Sequence, residues 1–562
     1  MRLSEKSWFR GADLRRSCAQ REKAKKHYKL KSPDDHARRV AIAHRLIKPT
    51  QASRNADQWN CTLGHPRSTR LLISSYPVLV EPKLDTAAPG FLKELASIVG
   101  PENLISNEKD LLVYECDAYT LEKRQPGVVV LPTTTEQVVA VVKLCAKHKL
   151  PIIPRGAGTS LSGSVLAVDG GVMIALTRMT KIISVDYPNR RALVEAGCVN
   201  AWVTNAVKAQ GLIYAPDPSS QPACTIGGNV GTNSGGPHTL KYGVTTNHIL
   251  GFEMVLPDGE VVWLGARPDG GEEVDGYDLR GAVIGSEGMF GIVTRVLLRL
   301  IRAPGAFKTM LGVFESVEDA SQTVSDIIAA GIVPAALEMM DQLITQAVEA
   351  AYHFGFPLDA GAVLIVELDG LEAGLDRQVD RIKEICAKNR AREVRVARSD
   401  QERADLWKSR KRAFGAIGRL SPNFLTQDGV VPRSRLPEIM QFIRACSEKY
   451  GLRIPNVFHA GDGNIHPLIL YDERDPDQVR RALQAGHDIL LKCIEFGGSV
   501  TGEHGIGTEK IDFMEKQFTK DDLDAMRALR RVFDPEGRCN PHKLFPGSKR
   551  CADFAPKKQI AA

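Results

Sequence analysis

The sequence predicts an α+β protein of more than one domain, and three observations carry that prediction. A strand–helix–strand unit lies at 128–154, where Val128-Val129-Val130-Leu131 and Pro151-Ile152-Ile153-Pro154 flank a capped amphipathic stretch. Beyond Ala303-Pro304-Gly305, short apolar strands alternate with long helical periods, the pattern of an antiparallel sheet covered by helices on one side. Three separated glycine-rich segments in the first half show neither a strand nor a helix period. A chain of 562 residues has core volume for about two to four domains.

Folded structure is expected from near Pro89. The spacing predicts a helix over 133–148, with threonines at its cap, Glu136 and Gln137 in its first turn, and Val138, Val142 and Cys145 on one face. Short strands follow over 172–194, then a helix from Asn200 to Gln210 that Gly211 stops. Residues 216–243 read as loop. Strands at 250–256 and 261–264 are joined by Pro257-Asp258-Gly259, a hairpin signal. After residue 303, strands at 309–314, 362–367 and 393–397 alternate with helices at 317–330, 342–352 and 375–388. Helices near 404–419, 435–450, 476–496 and 520–533 complete the chain. The expected domains are 89–303, 304–475 and a helical segment 476–555, preceded by a tail of residues 1–80.

The formal charge of +7 belongs to that tail. Residues 1–80 hold 18 Lys/Arg against 6 Asp/Glu, a balance of +12, so the rest of the chain carries −5. A basic tail on an acidic body argues against nucleic acid as a partner. The tail lacks the apolar core of a secretory signal, and Glu5, Asp13, Glu22, Asp34 and Asp35 oppose a mitochondrial transit peptide. It is expected to be disordered or non-native. No apolar run is long enough to span a bilayer. Eleven cysteines without a Cys-x-x-Cys pair read as reduced intracellular thiols, not as a disulfide frame or an iron–sulfur ligand run.

Two histidines carry the clearest chemistry. His459 and His466 bracket Gly461-Asp462-Gly463-Asn464, between the strand-like flanks Asn456-Val457-Phe458 and Pro467-Leu468-Ile469-Leu470. Around a four-residue loop His459 would face His466, with Cβ atoms roughly 4.5–5.5 Å apart. Two imidazoles so placed can grip one divalent ion, and Glu503 would complete an open three-ligand site for Zn, Fe or Mn. The competing reading is a hydrogen-bonded histidine pair beside a tight turn.

Gly156-Ala157-Gly158 follows a strand, but the Rossmann pattern fails. Position 161 is Leu161 where the third glycine belongs, and no helix follows. What remains is a turn whose N–H groups could cradle a pyrophosphate, or a purely structural turn. The block from Pro216-Asp217-Pro218-Ser219-Ser220 to Gly236, and the segment Ile284–Thr294, repeat that ambiguity. Three such loops are costly in backbone entropy unless a ligand or tight packing offsets them.

Pro154–Gly163, Pro216–Gly236 and Gly285-Ser286-Glu287-Gly288 together resemble the flavin-binding domain of the vanillyl-alcohol oxidase type. Phe458–Pro467 and Gly502–Gly507, with Leu337–Asp341, Asp428-Gly429 and Pro432-Arg433, resemble its FAD-linked 2-hydroxy acid dehydrogenase branch. In motif order the resemblance is greatest to the FAD-carrying subunits of bacterial glycolate oxidases, and it runs from about Tyr114 to Phe554. It implies noncovalent FAD, because the first loop has no histidine for a ring linkage. By the match, Arg155, Gly156, Ala157, Gly158, Thr159 and Ser160 would hold the pyrophosphate. Pro216, Asp217, Ser219, Thr225, Gly227, Gly228 and Asn229 would line the flavin, with Ile292 on its adenosine side.

The implied reaction oxidises glycolate to glyoxylate by hydride transfer to flavin; the rival is a self-sufficient D-lactate or other D-2-hydroxy acid dehydrogenase. In this reading His459, His466 and Glu503 hold the metal and His504 is the base; the alternative for His504 is a hydrogen-bonding role in a turn. Arg410 is the expected clamp on the substrate carboxylate, against the alternative of a solvated basic helix face. Phe414 stands where relatives acting on larger diacids carry a hydroxyl, which favours a small acid. Asp462 either orients a ligand histidine or closes the turn. The resemblance also implies a second flavin subunit and an iron–sulfur subunit as partners, with the chain in the cytoplasm and touching the inner membrane only through them.

Overall fold

The computed structural model describes residues 90–167, 171–270 and 276–546; the basic tail lies outside the described residues. The first region opens with helix α1 (Phe91–Val99) and strands β1 (Leu104–Ile105) and β2 (Val128–Val130). Helix α2 (Thr135–Lys147) follows, then β3 (Ile152–Arg155) and β4 (Val172–Ala175). These strands form a sheet in the order β1-β2-β4-β3, with β4 parallel to both β2 and β3. Val128, Val129 and Val130 are fully buried, each contributing roughly 1.5–3 kcal/mol through lost apolar exposure. Thr134 caps α2 by accepting from the Gln137 N–H, while the Gln137 side chain reaches back to the Thr133 N–H, so the signal at 133–137 does what it predicts. The first glycine loop leaves the carboxyl end of β3, where ligands of parallel sheets bind.

A second, antiparallel sheet packs beside it. Its strands are β5 (Ile182–Asp186), β6 (Arg191–Glu195), β7 (Ile249–Val255), β8 (Val261–Gly265) and β9 (Ile292–Arg299), in the order β5-β6-β9-β7-β8. Helix α3 (Asn200–Val207) runs through a 3-10 turn to Gly211, which takes the left-handed conformation that stops it. The block expected to be loop contains two short helices, α4 (Ile226–Thr232) and α5 (Thr239–Tyr242). In α4, Thr225 accepts from the Gly228 N–H, Ile226 and Val230 are buried, and left-handed Asn233 closes the end. Tertiary burial overrides a glycine-rich composition that favours no helix.

The second region is a seven-stranded antiparallel sheet. It comprises β10 (Ala306–Phe314), β11 (Ala336–Asp341), β12 (Ala362–Gly370), β13 (Ala391–Val396), β15 (Gly429–Val430), β16 (Val457–His459) and β17 (Asn464–Ile465), ordered β13-β10-β12-β11-β16-β17-β15. A separate pair joins β14 (Asn423–Thr426) to β18 (Leu468–Tyr471). Helices α6 (Val317–Ala329), α8 (Leu375–Lys388), α10 (Leu436–Tyr450) and α11 (Pro476–Glu495) share one core with Met310, Leu337, Leu364 and Val366. Helices α7 (Gln342–Tyr352) and α9 (Asp400–Ile417) share another with Leu311, Val313, Met340 and Ile365. The α+β class stands, but helices cover both faces of this sheet, not one. The reason is legible in β10 and β12, where residues of both parities are buried. Among the described residues no helix is long and apolar enough to cross a membrane, and all eight cysteines are free thiols.

Candidate active site

The histidine hairpin forms with a register that differs from the expected one. His459 pairs with Asn464, and the bridge Asn456–Pro467 continues that register. Ala460–Asp462 coil into a 3-10 turn, so the bend takes in Ala460 and ends at Gly463. His466 then lies diagonal to His459 on the same face, two residues beyond its partner. The two rings sit 5.2 Å apart, edge to face. Juxtaposition survives the shift because the side-chain period of a strand is two.

The Gly502-Glu503-His504 segment is not extended; it curls around a carboxylate. Asp428 accepts from Thr501 Oγ1 at 2.6 Å, from the N–H groups of Gly502 at 3.1 Å and His504 at 2.9 Å, and from Lys510 Nζ at 3.2 Å. Gly502 is required at the closest approach, since a Cβ there would lie 2.5 Å from the Asn464 amide. The curl turns Glu503 and His504 to the same side. Glu503 Oε1 is 3.1 Å from His459 Nε2 and 3.5 Å from His466 Nε2. The His504 ring stacks on His466 at 4.8 Å.

Charge in this cluster is strongly organised. Glu338 on β11 holds His459 Nδ1 at 2.7 Å, leaving Nε2 for Glu503. Burial opposes a charge on His459, but Glu338 and Glu503 outweigh it and push its pKa up to about 10. Burial also opposes ionisation of Glu503, yet His459 and the neighbouring imidazoles hold it down to about 2. His504 is pushed down to about 4, chiefly by burial. The same competition leaves Asp428 well below the usual carboxylate range, because His504 and Lys510 prevail over burial. Asp462 goes the other way, up to about 7 through burial, and Glu338 rather than Asp462 hydrogen-bonds the hairpin histidine.

Donor chemistry here fits a divalent cation. Ligand atoms of His459, His466 and Glu503 lie within 4.8 Å of one another, as do those of Asp428, His466 and His504. Both ring nitrogens of His466 are buried and make no hydrogen bond. A cation between buried carboxylates and an unpartnered imidazole would satisfy groups that otherwise carry a desolvation cost.

Of these residues His466, Glu503 and His504 line a cavity of about 690 Å³. The remainder is lined by the three glycine loops, including all of Arg155–Ser160, together with Ser219, Thr225, Gly227, Gly228, Asn229 and Ile292. Gly158 has a positive φ of 72°, and a Cβ there would collide with the Arg155 guanidinium. That guanidinium donates to the Cys116 carbonyl at 3.0 Å. Such a backbone-lined, largely apolar space, with His466, Glu503 and His504 at its end, fits an extended flavin dinucleotide. Pro216 and Asp217 do not line it: Pro216 O accepts from Asn200, and Asp217 bonds His238. Asn229 lines it but spends its amide on Asn200 and Ser234.

From the second region, Lys411 and Phe414 of α9 line the cavity. Arg410 is 1 % exposed and lies behind them, its Nε 2.7 Å from Glu338 Oε2 and its Nη2 without a hydrogen-bond partner. The alternative of a solvated basic helix face therefore fails at Arg410, and of this pair only Lys411 lines the cavity. Asp428, Glu338 and Lys510 went unassigned in the sequence, although Leu337–Asp341 and Asp428-Gly429 stand among the resembling motifs. Nothing local marks Glu338 in its strand, or Asp428 in the loop between two strands, as a partner for a distant histidine.

Comparison with known proteins agrees with this architecture. Residues 126–265 match the pattern described as "FAD binding domain", and residues 303–544 match "FAD linked oxidases, C-terminal domain". The chain is 43% identical over 482 residues to the glycolate oxidase subunit GlcD of Escherichia coli (strain K12), covering 85% of this chain and 96% of that one. It is 34% identical to D-lactate dehydrogenase of Anaerostipes hadrus, over 75% of this chain and 90% of that protein. A solved p-cresol methylhydroxylase shares the fold with a TM-score of 0.70 at 20% identity, covering 82% of this chain and 98% of that one.

Proposed function

This chain belongs to the FAD-linked oxidase family, and on that premise we propose that it oxidises glycolate to glyoxylate, with a divalent metal assisting and His504 as base. The carrying observation is that His466, Glu503 and His504 line the cavity while His459 stands against His466 and Glu503 behind them. Noncovalently bound FAD supplies the hydride acceptor. A divalent cation held by His466, Glu503 and His459, whose Nε2 would lose its proton on binding, would supply Lewis acidity toward the substrate oxygens.

The chain's own residues do the rest. With its pKa near 4, His504 is a free base at neutral pH and accepts the hydroxyl proton on an imidazole nitrogen. Glu338 fixes the His459 ring, and Arg410 in turn holds Glu338. Lys411 and the spare Nη2 of Arg410 supply positive charge for the substrate carboxylate. Phe414 narrows the space beside them, which favours glycolate over bulkier acids.

Assembly with a second flavin subunit and an iron–sulfur subunit is part of this proposal. Its support is the likeness to glycolate oxidase subunits and the absence from this sequence of a Cys-x-x-Cys electron-carrying motif. The likeness to D-lactate dehydrogenases supports a second reading, in which the chain acts alone on D-lactate. Steady-state turnover with an artificial electron acceptor separates the two. Glyoxylate formed from glycolate with kcat/KM above that for D-lactate supports the first reading. Preference for D-lactate by the isolated chain overturns it.

A further inference from the structure

Outside the cavity, a network of charges joins the flavin-side loops to the second sheet. His238, just before α5, has Nδ1 2.8 Å from Asp217 Oδ2 and Nε2 3.5 Å from Glu367 Oε1 on β12. Its ring lies against the Trp407 indole of α9, with centroids 5.1 Å apart and planes 29° from parallel. Glu367 is fully buried and also accepts from Trp407 Nε1 at 2.6 Å, from Thr309 Oγ1 at 2.6 Å, and from Arg403 through two bonds of 2.8 Å. Two residues along β12, on the same face, Asp369 takes Lys241 and Tyr242 from α5.

Both ends of this clasp reach the cavity. Asp217 precedes Pro218 and Ser219, which line it. Trp407 precedes Lys411 by four residues and Phe414 by seven, so the three share one face of α9, and the latter two line the cavity. A bridge between two carboxylates needs a donor on each ring nitrogen, which only imidazolium provides. Burial disfavours that charge, but Asp217 and Glu367 outweigh it.

We infer that His238 is a positioning residue: bridging Asp217 and Glu367 with Trp407 against its ring, it sets the distance between the flavin-side loop and the substrate-side face of α9. This rests on the flavin and substrate assignments proposed above. His238 touches no reacting atom; it acts through Asp217 and Trp407. Hydride transfer depends steeply on that distance, and a displacement of about 1 Å can cost on the order of 100-fold in rate.

Two measurements on the FAD-loaded full chain test this, each with His238→Ala and the milder His238→Gln. Amide hydrogen exchange over residues 407–414 needs no substrate; it is expected to quicken in His238→Ala, and identical exchange in wild type and both variants overturns the inference. Anaerobic rapid mixing with glycolate reads the limiting rate of flavin reduction. That rate is expected to fall about 10–100-fold in His238→Ala and less in His238→Gln. FAD content and the half-saturating glycolate concentration should stay within about two-fold. An unchanged limiting rate, or a loss of rate that follows loss of FAD, overturns it. A wild-type flavin indifferent to every 2-hydroxy acid would remove the proposed function, while the exchange data would still decide whether the clasp holds α9.

Discussion

The carboxylate of Asp428 decides where Glu503 and His504 point, because it gathers the N–H groups of the loop that carries them. It also neutralises Lys510, which is fully buried. Replacing Asp428 by Asn leaves that ammonium without its charge, and breaking a buried pair costs about 3–5 kcal/mol. A lower Tm and reduced metal content, measured by elemental analysis, are the expected outcomes. His504→Ala should leave FAD bound and slow flavin reduction by about 10²–10⁴-fold, the usual worth of a general base. Stopped-flow reduction at saturating substrate checks it, and a rate equal to wild type would remove His504 from the mechanism. The clustered residues His459, His466 and His504 were legible, since imidazoles beside tight glycine turns stand out locally. Asp428, Glu338 and Glu367 were not, because an acid in a strand, or in the loop between two strands as Asp428 is, acquires its partners only when topology delivers them.

At the scale of elements, α1 was not foreseen, but the long helices from residue 133 on were read to within a few residues: α12 (Lys520–Phe533) has the expected bounds, with Thr519 and Asp522 forming its capping box. Strand β11 was not recognised as such, since Glu338 and Asp341 interrupt its apolar run. Helix α4 was hidden by its glycines. The clasp between β12, α5 and α9 carries a pH signature. Glu367 is held down to about 2 from an ordinary 4.5 by His238 and Arg403 in spite of burial, so its contribution is complete above pH 4.5 and lost as pH falls towards 2. His238 is pushed up to about 10 from 6.5, so its contribution is complete below pH 6.5 and lost as pH rises towards 10. The stability difference between wild type and Glu367→Gln is therefore expected to be largest between pH 4.5 and 6.5 and to shrink on either side; thermal melts across pH measure it. On α9, Phe414→Ala should raise kcat/KM for bulkier 2-hydroxy acids relative to glycolate, and an unchanged ratio would mean that Phe414 does not bound the substrate.

For the molecule as a whole, two unlike regions line one cavity. The first region supplies backbone-lined loops suited to a dinucleotide, and the second supplies the charged end where imidazoles and carboxylates meet. The two regions interlock here, because Glu287 of the third glycine loop accepts from the Ile506 and Gly507 N–H groups just after His504. Ligand and fold are therefore coupled, and FAD at 100 times its Kd should stabilise the protein by about 2.7 kcal/mol. Melting the apoprotein with and without FAD checks this; an unshifted Tm would contradict it. Direct evidence for the central claim comes from mixing the FAD-loaded protein with glycolate in the absence of oxygen and following the flavin absorbance. Bleaching in wild type, and its near abolition in His504→Ala, is the predicted result. A folded, FAD-loaded protein that neither glycolate nor any other 2-hydroxy acid bleaches would contradict it.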